Sequence, residues 1–180
     1  MSVIHIYINL KIPDNIERSA YYACRSRLGF HAMESLRRTE FWEIDFPGLE
    51  PKQARQRVER IVGKTSLFAN PNKHRWRIEA AKQAVSEEGD LQTPPGVSAY
   101  ILVCDREDGK AESTLDAVRR KLSENEQPSS LLRGMLWEVT FPELTPEEIR
   151  SESERLAVSV TRSQGLLANP HYQTYRIFYP

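Results

Sequence analysis

The residue types that carry most enzyme chemistry are present in this chain, but their spacing predicts no catalytic or metal site. None of the histidines and cysteines lies at the short intervals that metal ligands use. These residues are His5, His31, His74, His171, Cys24 and Cys104. The eight glycines form no phosphate-binding loop, and no Gly-x-Ser-x-Gly motif precedes a predicted helix. We therefore expect no catalytic residue, no cofactor and no metal ion.

Paired carboxylates and single thiols have structural explanations as well. Glu87-Glu88 lies in a polar stretch, and Glu147-Glu148 follows a proline at a predicted helix start, where the helix dipole favours negative charge. Cys24 and Cys104 occupy unlike positions in the two halves of the chain. We expect both to be buried, reduced thiols of a cytoplasmic protein rather than an inter-repeat disulfide.

A segment that occurs twice supplies the remaining candidates. Both copies contain Trp-Glu-x-x-Phe-Pro-x-Leu-x-Pro, then Ala-Asn-Pro, then an aromatic-Arg-Ile sequence. The copies are offset by 93 residues at Tyr7 and Tyr100, by 95 at the tryptophans and by 99 at the asparagines. This pattern predicts a tandem duplication. The candidate structural or partner-contact residues are Trp42, Asn70, Pro71 and Arg77 in the first copy, and Trp137, Asn169, Pro170 and Arg176 in the second.

Each repeated residue has a structural interpretation beside a functional one. The tryptophans are expected as core or interface anchors more than as stacking partners of a ligand. Glu43 and Glu138 follow them and should face the other side of the strand, exposed or paired with Arg77 and Arg176. The Ala-Asn-Pro sequences are expected to end helices, because the residue before a proline is pushed out of helical geometry. A contact with a partner protein stays open for the same residues.

Periodicity predicts the elements of the first half. Val3–Ile12 alternates as a half-buried strand, and Asp14 caps a helix whose apolar face has a four-residue spacing and which ends at Gly29. The members of that face are Ile16, Ala20, Cys24 and Leu28. Ala32–Phe46 is predicted as a two-stranded hairpin. Pro51 starts a second helix, whose face consists of Ala54, Val58, Ile61 and Thr65, and Lys73–Ala80 forms the closing strand.

The second half repeats this order. It contains a strand at Val97–Cys104, a helix, strand material with a turn near Gly134 in Leu131–Phe141, and a final strand at Tyr172–Tyr179. The first helix is marked by Ala111, Leu115, Val118 and Leu122. The second is marked by Ile149, Leu156 and Val160, and starts with a threonine cap, a proline and a glutamate at Thr145-Pro146-Glu147-Glu148.

The predicted fold class is α+β, with two tandem β-α-β-β-α-β ferredoxin-like units packed as an intrachain pseudo-dimer. The predicted domains are residues 1–80 and 96–180, joined by a polar linker at 81–95 that ends in Pro-Pro. A pseudo-dimer is expected because a sheet with helices on one face leaves its other face and its edges uncovered.

Composition narrows the class of partner. Lysine and arginine together number 25, as do aspartate and glutamate, so net charge gives no reason to expect nucleic acid or an acidic membrane. The chain has no apolar run of membrane-spanning length, and its first ten residues lack the layout of a signal peptide. The expected location is the cytoplasm.

Several segments resemble the PurS family. In residues 165–177, Leu-Leu-Ala-Asn-Pro precedes Tyr-Arg-Ile, which is similar to the closing signature of that family, and residues 66–78 form a weaker second copy. The opening strand Tyr7–Lys11 before Pro13, and the step Leu28-Gly29-Phe30, are similar to the family's start and to its Leu-Gly-aromatic step. Both copies together cover nearly the whole chain outside the linker, whereas family members are usually single units of about half this length that dimerise.

The resemblance implies a non-catalytic role in purine biosynthesis. PurS is the small subunit of phosphoribosylformylglycinamidine synthase, where dimers join an ATP-dependent synthetase (PurL-like) to a glutaminase (PurQ-like) and help to seal the ammonia path. The implied partners are these two subunits, with room for further self-association. The alternative from another class is a free-standing duplicated ferredoxin-like module that binds a small metabolite between its halves and regulates another protein.

Overall fold

The structure, a computed structural model, describes residues 2–85, 89–158 and 166–180. This part of the chain belongs to the α+β class, as predicted, with six strands in one sheet and four helices. The elements are β1 (Ser2–Leu10), α1 (Asn15–Arg27), β2 (Ser35–Phe46), α2 (Pro51–Lys64), β3 (His74–Ala81), β4 (Ala99–Asp105), α3 (Gly109–Arg119), β5 (Ser130–Thr140), α4 (Pro146–Ala157) and β6 (Gln173–Phe178). The strand order is β3-β1-β2-β5-β4-β6, and β1 and β4 each pair antiparallel with two neighbours.

The helix starts follow the local signals in the sequence. The carboxylate of Asp14 accepts hydrogen bonds from two amides of the first turn of α1, and Asp108 does the same for α3. Pro51 is the first residue of α2. Thr145 and Glu148 form the predicted capping box of α4, in which the Glu148 carboxylate accepts from the Thr145 amide at 2.8 Å.

The end and the buried face of α1 were predicted with one error. Gly29 follows the helix with φ at +74°, a left-handed conformation that favours glycine. Ala20 and Cys24 are buried, but Ile16 is 56% exposed and does not belong to the apolar face. Ile16 lies in the first turn of α1, where the four-residue spacing continues but no core lies beneath it.

The predicted hairpin in Ala32–Phe46 and the predicted turn near Gly134 are wrong. β2 is one strand of twelve residues and β5 is one strand of eleven, with Gly134 buried inside it. In the described part of the chain, each half therefore contributes three strands, in the order β-α-β-α-β rather than β-α-β-β-α-β. A glycine in a strand permits a turn but does not require one, because strands tolerate it where backbones or neighbours approach closely.

The chain divides into two compact units that do not follow the halves of the sequence. Unit 1 consists of residues 1–12, 40–90 and 108–134, and unit 2 consists of residues 13–39, 91–107 and 135–180. Unit 1 therefore contains β1, α2 and β3 of the first half with α3 of the second half. Unit 2 contains β4, α4 and β6 of the second half with α1 of the first half. The domain division by sequence into 1–80, 81–95 and 96–180 stays a prediction about the repeat.

Each unit has its own hydrophobic core. In unit 1, isoleucines of β1 pack with Trp42 and Ile44 of β2 and with the buried face of α2, and Val118 of α3 completes this cluster. In unit 2, Ala20 and Cys24 of α1 pack with residues of β4, β5 and α4. The first helix of each half thus supplies core residues to the unit that contains the other half's strands.

Parts of the predicted linker pack against the units. Ala84, Val85 and Leu91 are buried, and the Gly89 amide donates to the Ala84 carbonyl at 2.8 Å. Burial of these apolar side chains means that the described ends of the linker are not a free tether. The predicted features at Glu87-Glu88 and at Val160, and the start of the signature at Gly165, lie outside the described residues. None of the described helices has the length and apolar character needed to cross a membrane.

Candidate functional site

The repeated tryptophans occupy matching places in the long strands. Trp42 on β2 is fully buried in the unit-1 core, and Trp137 on β5 is 6% exposed in the unit-2 core. Trp42 meets Phe68 edge to face, with ring centroids 5.1 Å apart. Both tryptophans are thus core residues, in line with the structural interpretation of the repeat. Their burial removes them from the candidates for stacking on a ligand.

The glutamate after Trp42 is buried, which corrects the expectation that Glu43 is exposed or paired with Arg77. Its Oε2 accepts a hydrogen bond from His5 Nε2 at 3.0 Å and one from the Val85 amide at 2.5 Å. His5 and Glu43 are opposite each other on β1 and β2 and are only 4% and 3% exposed. A buried carboxylate needs such donors, because an uncompensated charge inside a protein is costly. His5 was missed because nothing local connects it to a strand about forty residues away.

Strand register also corrects the predicted alignment of the first strands. His5 pairs with Glu43, and Tyr100 pairs with Glu138, the repeat equivalent of Glu43. Tyr100 therefore corresponds to His5 at an offset of 95, not to Tyr7 at an offset of 93. The Trp-Glu pair has the same geometry in both halves. The tryptophan faces the helices, and the glutamate lies opposite a side chain of β1 in the first half and of β4 in the second.

The Ala-Asn-Pro sequences form the same turn twice, and they do not end the helices as predicted. α2 ends at Lys64 and the description of α4 ends at Ala157, well before the asparagines. The Asn70 side-chain oxygen accepts from the amide two residues on at 2.9 Å, and that of Asn169 does so at 3.1 Å. The main-chain oxygen of each asparagine also accepts from the amide four residues on, at 2.8 Å in both cases. These are Asx turns that lead into β3 and β6.

A basic residue after the first strand of each half holds this turn. Lys11 donates from Nζ to the Pro71 carbonyl at 2.7 Å, and Arg106 donates from a guanidinium nitrogen to the Pro170 carbonyl at 3.4 Å. The main-chain amides of the same two residues donate to the carbonyls two positions after each proline, at 2.8 and 2.9 Å. The four candidate residues Asn70, Pro71, Asn169 and Pro170 thus have local structural roles.

The two repeated arginines lie on the end strands of the sheet and are exposed. Arg77 on β3 lies over the Tyr7 ring, with its guanidinium carbon 4.2 Å from the centroid, and its Nε is 3.1 Å from Glu79. Arg176 on β6 lies 5.1 Å from the ring centroid of Phe178. An exposed guanidinium can stack on an aromatic ring, and its planar set of donors also matches carboxylates. These arginines are therefore the members of the repeat that are best placed for a partner contact.

A charged cluster in unit 1 was not predicted. Glu40 Oε1 accepts from Arg133 Nε and from Lys110 Nζ, each at 2.9 Å, and Arg133 also pairs with Asp108 at 3.2 Å. Burial alone would raise the pKa of Glu40, but the hydrogen bonds and charges of Arg133 and Lys110 outweigh it and hold the pKa below its usual value. Both cations also lie near the Trp42 ring: Lys110 is 5.2 Å and Arg133 is 5.6 Å from its centroid.

Only part of this cluster has a repeat equivalent. Asp108 and Arg133 correspond to Asp14 and Arg38, which pair at 2.9 Å in unit 2. Glu40 corresponds to Met135 at the offset of 95, so the carboxylate that links the two cations is particular to unit 1. Ion pairs on strand and helix residues far apart in sequence give no periodic signal, which is why the sequence did not reveal the cluster.

Two further observations concern metal ligands and thiols. Within residues 2–85, 89–158 and 166–180, no group of three or more histidine, cysteine, aspartate or glutamate side chains is arranged to hold a metal ion. Both cysteines are thiols outside any disulfide, and burial raises the pKa of Cys24 to about 11, which keeps it protonated and unreactive at neutral pH. Cys24 is buried as predicted, whereas Cys104 is partly exposed.

No family model matches the chain, and no curated protein matches it.

Proposed function

We propose that this chain is a non-catalytic structural subunit of a phosphoribosylformylglycinamidine synthase complex, in which one chain does the work of a PurS-like dimer. In this role it bridges the ATP-dependent synthetase and the glutaminase and helps to seal the ammonia path. The observation that carries the proposal is the reciprocal exchange of segments between the two halves.

The exchange follows the repeat closely. Unit boundaries fall after Ile12 and Glu107 and after Thr39 and Gly134, and each pair is separated by 95 residues, the offset of the repeated tryptophans. The first helix of each half packs in the unit that contains the other half's strands. Neither half can therefore complete its own core alone. Single-unit relatives would meet the same need by dimerising, so a fused chain with this exchange is equivalent to one dimer.

The repeated turn supports the proposal at the level of sequence signature. Leu-Leu-Ala-Asn-Pro is the most specific part of the resemblance. Its Asn-Pro step has the same set of hydrogen bonds in both halves, closed by Lys11 or Arg106. A signature whose residues have one geometric role in both copies is a property of the fold unit. The resemblance thus rests on a turn that is repeated within the chain. A bridging subunit needs a rigid fold more than reactive groups.

The decisive experiment reconstitutes the complex. The chain is mixed with the synthetase and the glutaminase of the same organism, and the assembly is examined by native mass spectrometry. We expect one copy of this chain at each place where the family uses two. Glutamine-dependent synthesis should require the chain, whereas synthesis from added ammonia should not, because only the channel between active sites is affected. A chain that binds neither subunit, or leaves glutamine-dependent synthesis unchanged, contradicts the proposal.

A second experiment tests the equivalence to a dimer. Residues 1–80 and 96–180 are produced separately; each should be poorly soluble alone, and they should recombine on mixing because each lacks a helix for its core. The effective concentration of one half for the other in the fused chain is roughly millimolar, so internal pairing should exceed pairing between chains. Soluble, monomeric halves that do not associate on mixing would show that the exchange is not needed for folding.

A further inference from the structure

The two end strands of the sheet differ sharply in charge. The β3 edge, defined as residues 73–82, carries four exposed basic side chains and a single carboxylate. The basic residues are Lys73, Arg75, Arg77 and Lys82, and the carboxylate is Glu79. On the other end strand, residues 172–180 carry one basic side chain, Arg176, and no carboxylate. In a chain with zero formal net charge, the β3 edge is therefore a local concentration of positive charge.

The arginines of β3 form a row on one face of the strand. Arg75 and Arg77 are opposite Asn9 and Tyr7 of β1, whereas Ile78 points the other way, into the unit-1 core. The Tyr7 ring beneath Arg77 fixes its guanidinium 4.2 Å above the ring centroid. Among the described residues, Glu79 is the carboxylate that pairs with this row, at 3.1 Å from Arg77.

The backbone of β3 offers a second means of attachment. β3 is the last strand on its side of the sheet, with β1 as its strand neighbour in the described order. In an antiparallel pair, alternate residues direct their amides and carbonyls away from the neighbour, and on an end strand these groups can pair with another extended chain. Isolated lysines would be enough to discourage such pairing, but arginines add forked donors that match carboxylates.

We propose that the β3 edge is a docking strand for an extended, acidic segment of a partner protein, which adds to the sheet through main-chain hydrogen bonds and places carboxylates on Arg75 and its neighbours. A second copy of this chain is a poor occupant, because its own β3 edge is basic and its β6 edge has no carboxylate. The acidic segment binds by strand addition, in which main-chain hydrogen bonds give affinity and side chains give specificity. The inference extends the proposed function by naming a docking surface, and rests on it only for the identity of the partner.

The test uses the full chain and a peptide probe that does not depend on the synthase. The probe is an acetylated peptide of about eight residues with alternating Glu and Thr, the length of β3. Binding is measured by fluorescence anisotropy, and amide hydrogen exchange identifies the protected residues. We expect salt-sensitive binding, with protection of alternate amides of β3. The double variant Lys73→Glu/Arg75→Glu should bind the peptide about tenfold more weakly than the wild type does.

The matched control is Lys52→Glu/Lys64→Glu, which reverses two exposed lysines on α2 of the same unit and should leave peptide binding unchanged. A peptide of alternating Lys and Thr should not bind. Equal binding by the β3 variant, binding without protection of β3, or tighter binding of a single-stranded oligonucleotide would each overturn the inference.

Reconstitution with the synthetase and the glutaminase separates this inference from the proposed function. Assembly that is unaffected by Lys73→Glu/Arg75→Glu refutes the β3 docking strand in that complex and leaves the bridging role intact. Peptide binding at β3 by a chain that joins neither subunit supports the docking strand and refutes the bridging role.

Discussion

The charged cluster of unit 1 gives the most direct test of the structure. We predict that Glu40→Gln destabilises the protein, because the amide keeps the shape of the side chain but removes the charge that Arg133 and Lys110 share. Among the described residues, Arg133 then keeps Asp108, at 3.2 Å, as its ionic partner. The side chains of Glu40 and Arg133 are each 19% exposed, so water replaces the lost interaction poorly.

The expected size of the effect follows from burial. A hydrogen bond to a charged group contributes about 1.5–3 kcal/mol when it is well buried, and the retained Asp108 contact reduces the loss, so Glu40→Gln should cost about 1–2 kcal/mol. The Lys110 side chain is 49% exposed, and solvent screening limits an exposed pair to about 0.2–1 kcal/mol. The coupling of Glu40 to Arg133 should therefore exceed its coupling to Lys110.

The assay is urea unfolding of two double-mutant cycles, Glu40→Gln with Arg133→Met and Glu40→Gln with Lys110→Met. We expect a coupling free energy of about 1–2 kcal/mol in the first cycle and about 0.5 kcal/mol or less in the second. Glu34→Gln, which removes an exposed carboxylate just before β2, is the control and should stay within about 0.5 kcal/mol of the wild type. The reasoning is refuted if the Lys110 coupling is the larger, or if Glu40→Gln behaves like the control.

Three further predictions use other features. Because the folded-state pKa of Glu40 is lowered, its contribution is present above the usual carboxyl pKa and is lost as the pH falls through the folded value; acid unfolding curves of wild type and Glu40→Gln should converge on acidification. Gly29→Ala should cost about 1 kcal/mol in thermal unfolding because φ is +74°, whereas Gly63→Ala within α2 should be stabilising by about 0.5–1 kcal/mol; equal effects would contradict the backbone argument. Iodoacetamide should label Cys104 in the native protein and Cys24 only after unfolding, as peptide mass spectrometry would show; early labelling of Cys24 would contradict its burial.

Signals that act within one turn of chain were the ones that sequence could predict. The cap at Asp14 and the capping box of α4 join residues two or three apart, and the start of α2 depends on the single residue Pro51. The left-handed Gly29 belongs to the same group. These features need no knowledge of what an element packs against, so a single sequence contains enough to predict them.

Features that depend on a distant partner were missed or wrong. Glu43 is buried because His5 and the Val85 amide donate to it, and both are about forty residues away. The long form of β2 depends on pairing, since only Glu40–Phe46 of this strand pairs with β1, while its first residues belong to unit 2. A hairpin and a long strand have the same alternation of side chains, so periodicity could not distinguish them.

The exchange of segments also sets the order in which the protein can fold during its synthesis. Unit 1 includes residues up to Gly134, and unit 2 includes residues from Pro13 to the end of the chain. When the first 80 residues have left the ribosome, α1 has no core to join, and the core around β1 still lacks α3. Neither unit can form from one continuous stretch of the chain, so native structure requires that most of the chain has been synthesised. Long-range contacts of this kind also slow folding. The nascent first half therefore has exposed apolar surface for much of translation, and this interval is when chaperone binding would matter most.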